Sequence, residues 1–208
     1  MKILFADDHQ LVRMALRCIL LEAYPTAEIE EVDNTVDLFK KTIKGKWDII
    51  ISDLSFPGQS GLDVLKQIKA HTPKIPVLIL SMYPAQEYAI RCITAGSSGY
   101  LTKDSIAGEL IIAINQILSG RKYLNLEVAE ILASSYENKS KANIHENLSD
   151  REYQIFKLLI EGTSMQEIAE KLFISINTVR SHKVHIQKKM NLQGDADMIK
   201  YGIQHHLD

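Results

Sequence analysis

A chain of 208 residues with 46% hydrophobic and 24% charged side chains is long enough to bury a core, and its composition excludes a disordered or collagen-like polymer. Lys+Arg 24 against Asp+Glu 26 gives a formal net charge of −2, which names no partner by itself. Residues 171–194, however, contain Lys171, Arg180, Lys183, Lys188 and Lys189 without one carboxylate, so a polyanion partner stays open. Two cysteines, Cys18 and Cys92, build neither a disulfide framework nor a metal cluster and fit a reducing cytosol. The run Ile3-Leu4-Phe5-Ala6 is too short for a signal peptide, and no stretch approaches the ~18 apolar residues of a membrane span. The expectation is a soluble, cytoplasmic protein with no membrane partner.

Short apolar runs recur through the first 120 residues: Ile3-Leu4-Phe5-Ala6, residues 29–32, Ile49-Ile50-Ile51, Val77-Leu78-Ile79-Leu80 and, more weakly, Tyr100-Leu101. Between them, residues 9–22, 35–44, 62–70, 85–95 and 106–118 have helical period. Runs buried on both faces and alternating with helices predict a doubly wound α/β domain, a five-stranded parallel sheet of flavodoxin-like type over residues 1–122. Ser60 suits the cap of the third helix, Pro84 the first turn of the fourth, and Asp104 or Ser105 the cap of the fifth.

From residue 123 the pattern changes. Residues 126–133 predict one short helix, and the polar stretch 134–143 predicts a linker, so 123–144 is assigned as a linker containing a helix. Residues 145–208 predict a small all-α domain. Ser149-Asp150-Arg151-Glu152 and Ser164-Met165-Gln166-Glu167 both fit a capping box, Gly162 suits the stop between them, and Ser175 suits a further cap. Helices over 152–160, 165–172 and 176–190 follow, the last two joined by the tight Phe173-Ile174-Ser175, and a final helix runs from 195 to about 205.

Asp7 and Asp8 fall just past the first strand and Asp53 just past the third, neighbours in a doubly wound sheet; Ser81 and Lys103 follow the fourth and fifth. Three converging carboxylates repel, and a hard divalent cation with oxygen ligands, such as Mg²⁺, is the natural compensation. An Asp-Asp pair alone reads more simply as a helix cap; the whole set argues for a site.

The segments Phe5-Ala6-Asp7-Asp8-His9, Ser52-Asp53-Leu54-Ser55-Phe56-Pro57-Gly58, Leu80-Ser81-Met82 and Ala95-Gly96-Ser97-Ser98-Gly99-Tyr100-Leu101-Thr102-Lys103-Asp104 resemble the receiver domain of two-component response regulators over residues 1 to about 120. Phe56 departs from that pattern, where methionine is frequent before the proline. The resemblance implies that Asp53 accepts a phosphoryl group from a sensor histidine kinase, becoming a 4-aspartylphosphate. It implies that Asp8, Asp53 and the carbonyl of Ser55 hold Mg²⁺, with Asp7 assisting. Lys103 and the Ser81 hydroxyl then contact the phosphoryl oxygens, and Ser81 with Tyr100 forms a switch in which Ser81 moves and Tyr100 rotates into the space it leaves. On spacing alone, Tyr100 is an ordinary core-edge aromatic.

In the second domain, the helical wheel places Ile176, Val179, Ile186 and Met190 toward the core and Asn177, Ser181, Val184, His185 and Lys188 outward, with Thr178 and Arg180 on the flanks and Lys183 inward. A polar, basic face without acids can approach phosphates and base edges, although solvated outer faces are also polar. The segments Leu148-Ser149-Asp150-Arg151-Glu152, residues 161–169 and residues 172–182 resemble the LuxR-type helix-turn-helix, and the two halves together resemble the NarL/FixJ class of transcriptional regulators. That resemblance implies a DNA face comprising Asn177, Thr178, Arg180, Ser181, Lys183, Val184 and Lys188. Arg180, Ser181 and Val184 would lie toward bases, and Thr178, Lys183 and Lys188 toward phosphates. The implied partners are a sensor kinase, double-stranded promoter DNA and a second copy of the chain, when phosphorylated or on DNA. It also implies regulation rather than an enzyme activity beyond the chain's own phosphotransfer and dephosphorylation. Two other readings fit the residues less well. One is a Mg²⁺-dependent phosphohydrolase, which would carry Asp-x-Asp after the first strand; the other is a regulator that has lost its phosphorylation switch. No Walker A loop or His-Glu-x-x-His zinc motif is present.

Overall fold

The computed structural model describes residues 1–137, 144–205 and 207, in two compact units, Met1–Tyr136 and Glu137–Asp208. Five strands, β1 (Lys2–Ala6), β2 (Glu28–Val32), β3 (Ile49–Asp53), β4 (Val77–Ser81) and β5 (Gly99–Thr102), build a wholly parallel sheet of order β2-β1-β3-β4-β5. Alternating with them are α1 (Gln10–Ala23), α2 (Thr35–Lys44), α3 (Gly61–His71), α4 (Ala85–Thr94) and α5 (Ile106–Leu118). The central strands are continuous apolar runs because helices cover both sheet faces; every residue of β3 and β4 is buried. Ile3, Phe5, Ile49, Ile51, Leu78, Leu80 and Leu101 pack with Leu16 and Leu20 of α1 and Leu110, Ala113 and Ile114 of α5.

β2 departs from the expectation of strands buried on both faces. Its burial alternates, because it is an edge, and its outward Glu28 and Glu30 pair with Lys2 at 2.6 Å and Lys41 at 2.7 Å. Charges on an exposed edge oppose pairing with a further strand. At the opposite edge, Tyr123 forms a parallel bridge to Gly99 of β5 and is itself buried.

The caps follow the sequence in part. Ser60 Oγ accepts from the Leu62 amide at the start of α3, and Pro84 precedes α4 without a side-chain bond. At α5 neither expected cap forms. A short 3-10 turn, Lys103–Ser105, intervenes, and Ser105 Oγ donates to the Thr102 carbonyl instead.

Residues 126–137 form α6 (Leu126–Glu137), which groups with the first unit rather than standing in a free linker. The reason is local. Val128 is buried, and Asn125 both caps the helix, accepting from the Val128 amide, and donates to Glu109 of α5. Most of the polar stretch 134–143 lies outside the described residues.

The second unit holds α7 (Asp150–Ile160), α8 (Met165–Lys171), α9 (Ile176–Met190) and α10 (Asp195–Gln204). Both capping boxes form, at Ser149 with Glu152 and Ser164 with Glu167, and Gly162 takes the left-handed conformation between the two helices. Tyr153, Ile155, Phe156, Ile168, Val179, Ile186, Met190 and Met198 are buried. Ile176, placed toward the core by the wheel, stays 40% exposed. It is the first residue of α9, where the turn from α8 carries it clear of the packing face.

Gly61 sits under the end of β3. A Cβ there would meet the Asp53 carbonyl oxygen at 2.5 Å and the Leu54 carbonyl oxygen at 2.7 Å, backbone atoms that cannot step aside. Gly61→Ala is expected to lower stability by about 1–3 kcal/mol. Gly108→Ala, at an exposed position of α5 with open space around it, should instead stabilise by about 0.5–1 kcal/mol. Thermal denaturation of the two variants beside wild type checks both signs.

Candidate functional site

The carboxyl ends of β1 and β3 are adjacent in the sheet, with Ala6 in register with Ser52, so Asp7 and Asp53 leave neighbouring strands at one level. Asp7 is 1% exposed and Asp53 2%. Lys103, in the turn after β5, reaches back over the end of β4. Its Nζ lies 2.7 Å from Asp53 Oδ2 and 2.7 Å from Asp7 Oδ2. Asp53 Oδ1 accepts from the Ser55 amide at 3.1 Å, and Asp7 Oδ1 accepts from the His9 amide at 2.8 Å. Arg13 donates to the Asp7 carbonyl at 2.7 Å and fixes the turn from β1 into α1. The structure thus gathers Asp7, Asp8, Asp53 and Lys103, and it adds His9, which the motif analysis passes over. The His9 Nδ1 stands 2.8 Å from Asp8 Oδ1 and 3.4 Å from Asp7 Oδ1. Its position beside two aspartates was the only available signal.

The electrostatics are those of too many acids in one place. Burial pushes the Asp53 carboxyl above the ordinary range, and the Asp7 charge adds to that, while the Lys103 ammonium opposes both. Burial by itself would lower Lys103, yet the Asp53 and Asp7 carboxylates hold its ammonium above the usual lysine range. Asp7 Oδ2 and Asp8 Oδ1 are shielded from water without a well-directed hydrogen bond, even though Lys103 and His9 stand close by. One ligand atom from each of Asp7, Asp8, His9 and Asp53 falls within 4.8 Å of the others. Hard oxygen donors, incompletely satisfied and gathered around one point, fit a small divalent cation.

Ser81, wholly buried at the end of β4, accepts from the Tyr83 amide at 2.9 Å. Tyr100 donates its hydroxyl to the Tyr83 carbonyl at 2.7 Å and is 1% exposed. An inward rotation of Tyr100 is therefore not available from this state, because the ring is already inside. Burial raises the Tyr100 hydroxyl well above the usual tyrosine range, so it remains a donor.

On α9, Asn177, Arg180, Ser181, Val184 and Lys188 are exposed together, with Val184 at 56%. Ser175 Oγ accepts from the Thr178 amide and exchanges a bond with Thr178 Oγ1, so half-buried Thr178 stays in the cap. Arg180 donates to Asn177 Oδ1 at 2.8 Å, and Ser181 donates to the Asn177 carbonyl. Lys183 does not join this face freely. Its Nζ is 2.6 Å from Asp195 Oδ1 at the start of α10, and the side chain is 17% exposed. Lys189 likewise turns away, bonding Glu152 Oε2 at 2.6 Å. Burial tends to raise the Glu152 carboxyl, but Lys189 and the Ser149 cap together hold it below the ordinary range.

The profile of the response regulator receiver domain matches residues 3–115, and that of the bacterial regulatory proteins of the luxR family matches residues 146–201. The chain belongs to the response regulators that join a receiver domain to a LuxR-type DNA-binding domain, a family of DNA-binding transcription regulators of NarL/FixJ type. It is similar along its whole length to the oxygen regulatory protein NreC of Staphylococcus epidermidis, with 32% identity over 215 residues, 100% of this chain and 99% of that protein. NreC of Staphylococcus carnosus is 32% identical over 214 residues, again with 100% and 99% covered. Among solved structures, the RcsB response regulator of Salmonella typhimurium superposes with a TM-score of 0.59 at 27% identity, covering 97% of each chain. An RcsB–DNA complex does so with 0.59 at 26% identity, covering 97% of this chain and 96% of that one. Among the described residues, no helix is long and apolar enough to cross a membrane.

A folded-state pKa of Asp53 above the ordinary value of about 3.9 means that the folded protein binds this proton more tightly than the unfolded chain. The stability that Asp53 contributes is full below the unfolded value and is lost as pH climbs through the folded one. Without added metal, Asp53→Asn is expected to melt above wild type at neutral pH, with the gap closing toward pH ~4. Melting curves in chelator across that range check the sign, and a wild type more stable at pH 7 would refute it.

Proposed function

We propose that Asp53 is the phosphoryl acceptor of a two-component relay and that its state controls sequence-specific DNA binding by α9. The observation that carries the proposal is the Lys103 ammonium, bonded to Asp53 Oδ2 among buried carboxylates from two strands. An Asp53 oxygen forms the new P–O bond as the N–P bond of a kinase phosphohistidine breaks, and the imidazole leaves with that electron pair. Lys103 supplies a positive charge to the transferred oxygens, and the Ser81 hydroxyl can donate to another. Asp8, Asp53 and the Ser55 carbonyl would hold Mg²⁺, with Asp7 assisting. The ion's role when bound is to neutralise charge between an attacking carboxylate and an anionic donor. Asp7 also orients Lys103, and buried Asp53, with Oδ1 on the Ser55 amide, is held in one orientation for attack.

The DNA face narrows from the sequence list. Arg180, Ser181, Val184 and Lys188 present the outward surface, with Asn177 buttressing Arg180, and a methyl-bearing Val184 suits a thymine methyl rather than a hydrogen bond. Thr178 acts chiefly through the cap, and Lys183 reaches phosphate only by giving up Asp195. A double-stranded promoter site is the partner this face fits, in the cytoplasm, and the RcsB–DNA complex lends support by likeness. A second copy, bound when the chain is phosphorylated or on DNA, would make the site two-fold related.

Incubation with a small phosphodonor and Mg²⁺ should give wild type an acid-labile phosphate and leave Asp53→Asn without one; undiminished labelling of the variant removes Asp53 from its role. In gel shifts on a target site, Arg180→Ala is expected to weaken binding by about 1–3 kcal/mol. Lys183→Ala should cost much less, since its charge is already spent on Asp195. Equal losses would show that the groove face is misassigned.

A further inference from the structure

The connection from the first unit to the second begins with α6, whose start is tied to α5 and the edge of β5 and, separately, to α4. Tyr123 Oη and Asn125 Nδ2 both donate to Glu109 Oε2 on α5, at 2.8 and 3.2 Å. The Tyr123 amide donates to the Ser98 carbonyl at 2.8 Å, which lays the chain along the free edge of β5. Burial and the Glu109 carboxylate push the Tyr123 hydroxyl up to about 12, so it stays a donor across the physiological range. This is a fixed anchor. The second tie is different in kind. Gln86 Nε2, in the first turn of α4, donates to Glu127 Oε1 at 2.8 Å, in an exposed bond between neighbours 41 residues apart in sequence.

Gln86 lies five residues after Ser81. The loop between them is held at Tyr83, whose amide donates to Ser81 Oγ and whose carbonyl accepts from Tyr100 Oη. The Tyr83 ring lies 4.9 Å from that of Tyr88 on α4, so loop and helix move together. Pro84, at the cap of α4, supplies no side-chain bond of its own, which leaves the bonds at the Tyr83 amide and carbonyl to place the start of the helix. A Ser81 hydroxyl that turns toward Asp53 removes one of the two bonds that hold the Tyr83 backbone, the one to its amide.

We propose that α6 is a latch: its Gln86–Glu127 clasp on α4 opens when Ser81 turns from the Tyr83 amide toward a phosphoryl group on Asp53. Glu109, Tyr123 and Asn125 remain as the hinge. The inference rests on the acceptor reading of Asp53 and adds to it the element that carries the signal out of the sheet. An exposed hydrogen bond, buried Val128 and half-buried Ile131 and Leu132 hold α6 in place, a modest set of contacts whose balance a ligand at Asp53 can tip. The hinge residues keep the first turn in place, so the change is a loosening of α6 and not an unfolding of the edge of β5.

Hydrogen exchange of the full chain with Mg²⁺, with and without the phosphomimetic beryllofluoride, tests this. Wild type should show exchange in Leu126–Glu137 rising about fivefold on beryllofluoride, the effect of losing one hydrogen bond's worth of local protection. Gln86→Ala, an exposed substitution that leaves the core intact, should show a similar rise without beryllofluoride and little more with it. If residues 52–56 and 81–84 respond while α6 does not, the latch is wrong and the acceptor site stands. If no segment responds, both fall together.

Discussion

The first unit is organised around one buried ammonium. Lys103 must answer Asp7 and Asp53 at once, each 2.7 Å away and each nearly without solvent. Moving a carboxylate out of water costs several kcal/mol even after relaxation, and a lone counter-charge offsets that only when the contacts are close. One cation facing three aspartates leaves the site negative. That imbalance is unfavourable for the resting fold, and under the proposed function a divalent cation would relieve it. The topology exists to produce it. Parallel strands put all their carboxyl ends on one side, and the reversal of strand order at β1 and β3 sets two of the acids side by side. Lys103 follows the end of β5, two strand spacings or roughly 10 Å from β3, and needs both a long stem and the 3-10 turn to return.

How much of this was legible depended on whether a contact is local. The runs Ile49-Ile50-Ile51 and Val77-Leu78-Ile79-Leu80 announce buried strands because burial on two faces demands uninterrupted apolar side chains, and both are fully buried. Capping boxes are also local and were legible, since a serine and a glutamate three residues apart satisfy each other wherever the helix goes. The strand-end acids were legible because position after a strand fixes their place. Edge strand β2 was harder: Glu28, Ile29, Glu30 and Glu31 mix both patterns, and only the sheet order says which face meets water. Bonds between distant residues left no periodic trace at all. Glu109 gives no sign in the sequence that it anchors Tyr123 and Asn125, nor Gln86 that it meets Glu127. The stretch before α6 therefore looked like linker although it is fastened down. Tyr100 was placed by its strand, but its bond to the Tyr83 carbonyl, which fixes the ring inward, was out of reach.

The second unit turns the same economy of charge to another end. Basic residues are spread along α9, and a helical wheel treats them as one population. The structure sorts them by what lies opposite. Lys189 is drawn to Glu152, where it also supports the cap of α7, and Lys183 is drawn to Asp195 at the start of α10. These two cations hold the helices together; Arg180 and Lys188 are left facing outward. The outward basic surface thus emerges by subtraction, from the cations that the fold has not already engaged, and it is the surface that the proposed function assigns to DNA. Val184, 56% exposed, lies among these outward residues, and an exposed valine there suits the groove contact proposed for this face.

Two features make a coupling between the units physically reasonable without any large rearrangement of the sheet. Ser81 and Tyr100 hold the two backbone groups of one residue, the Tyr83 amide and the Tyr83 carbonyl, so under the proposed function a change at Asp53 would be felt by one loop. Interiors as dense as this one do not deform smoothly; they pass between a few packed arrangements, and a hydroxyl changing partners is enough to choose among them. The core behind the site, from Ile3 to Leu110, is buried between sheet and helices. The proposed route for the change is the start of α4, which has no side-chain cap and is joined to α6 by an exposed amide–carboxylate bond. Rigidity at the centre and looseness at one margin are therefore not separate properties of this fold, since the first is what directs the response to the second.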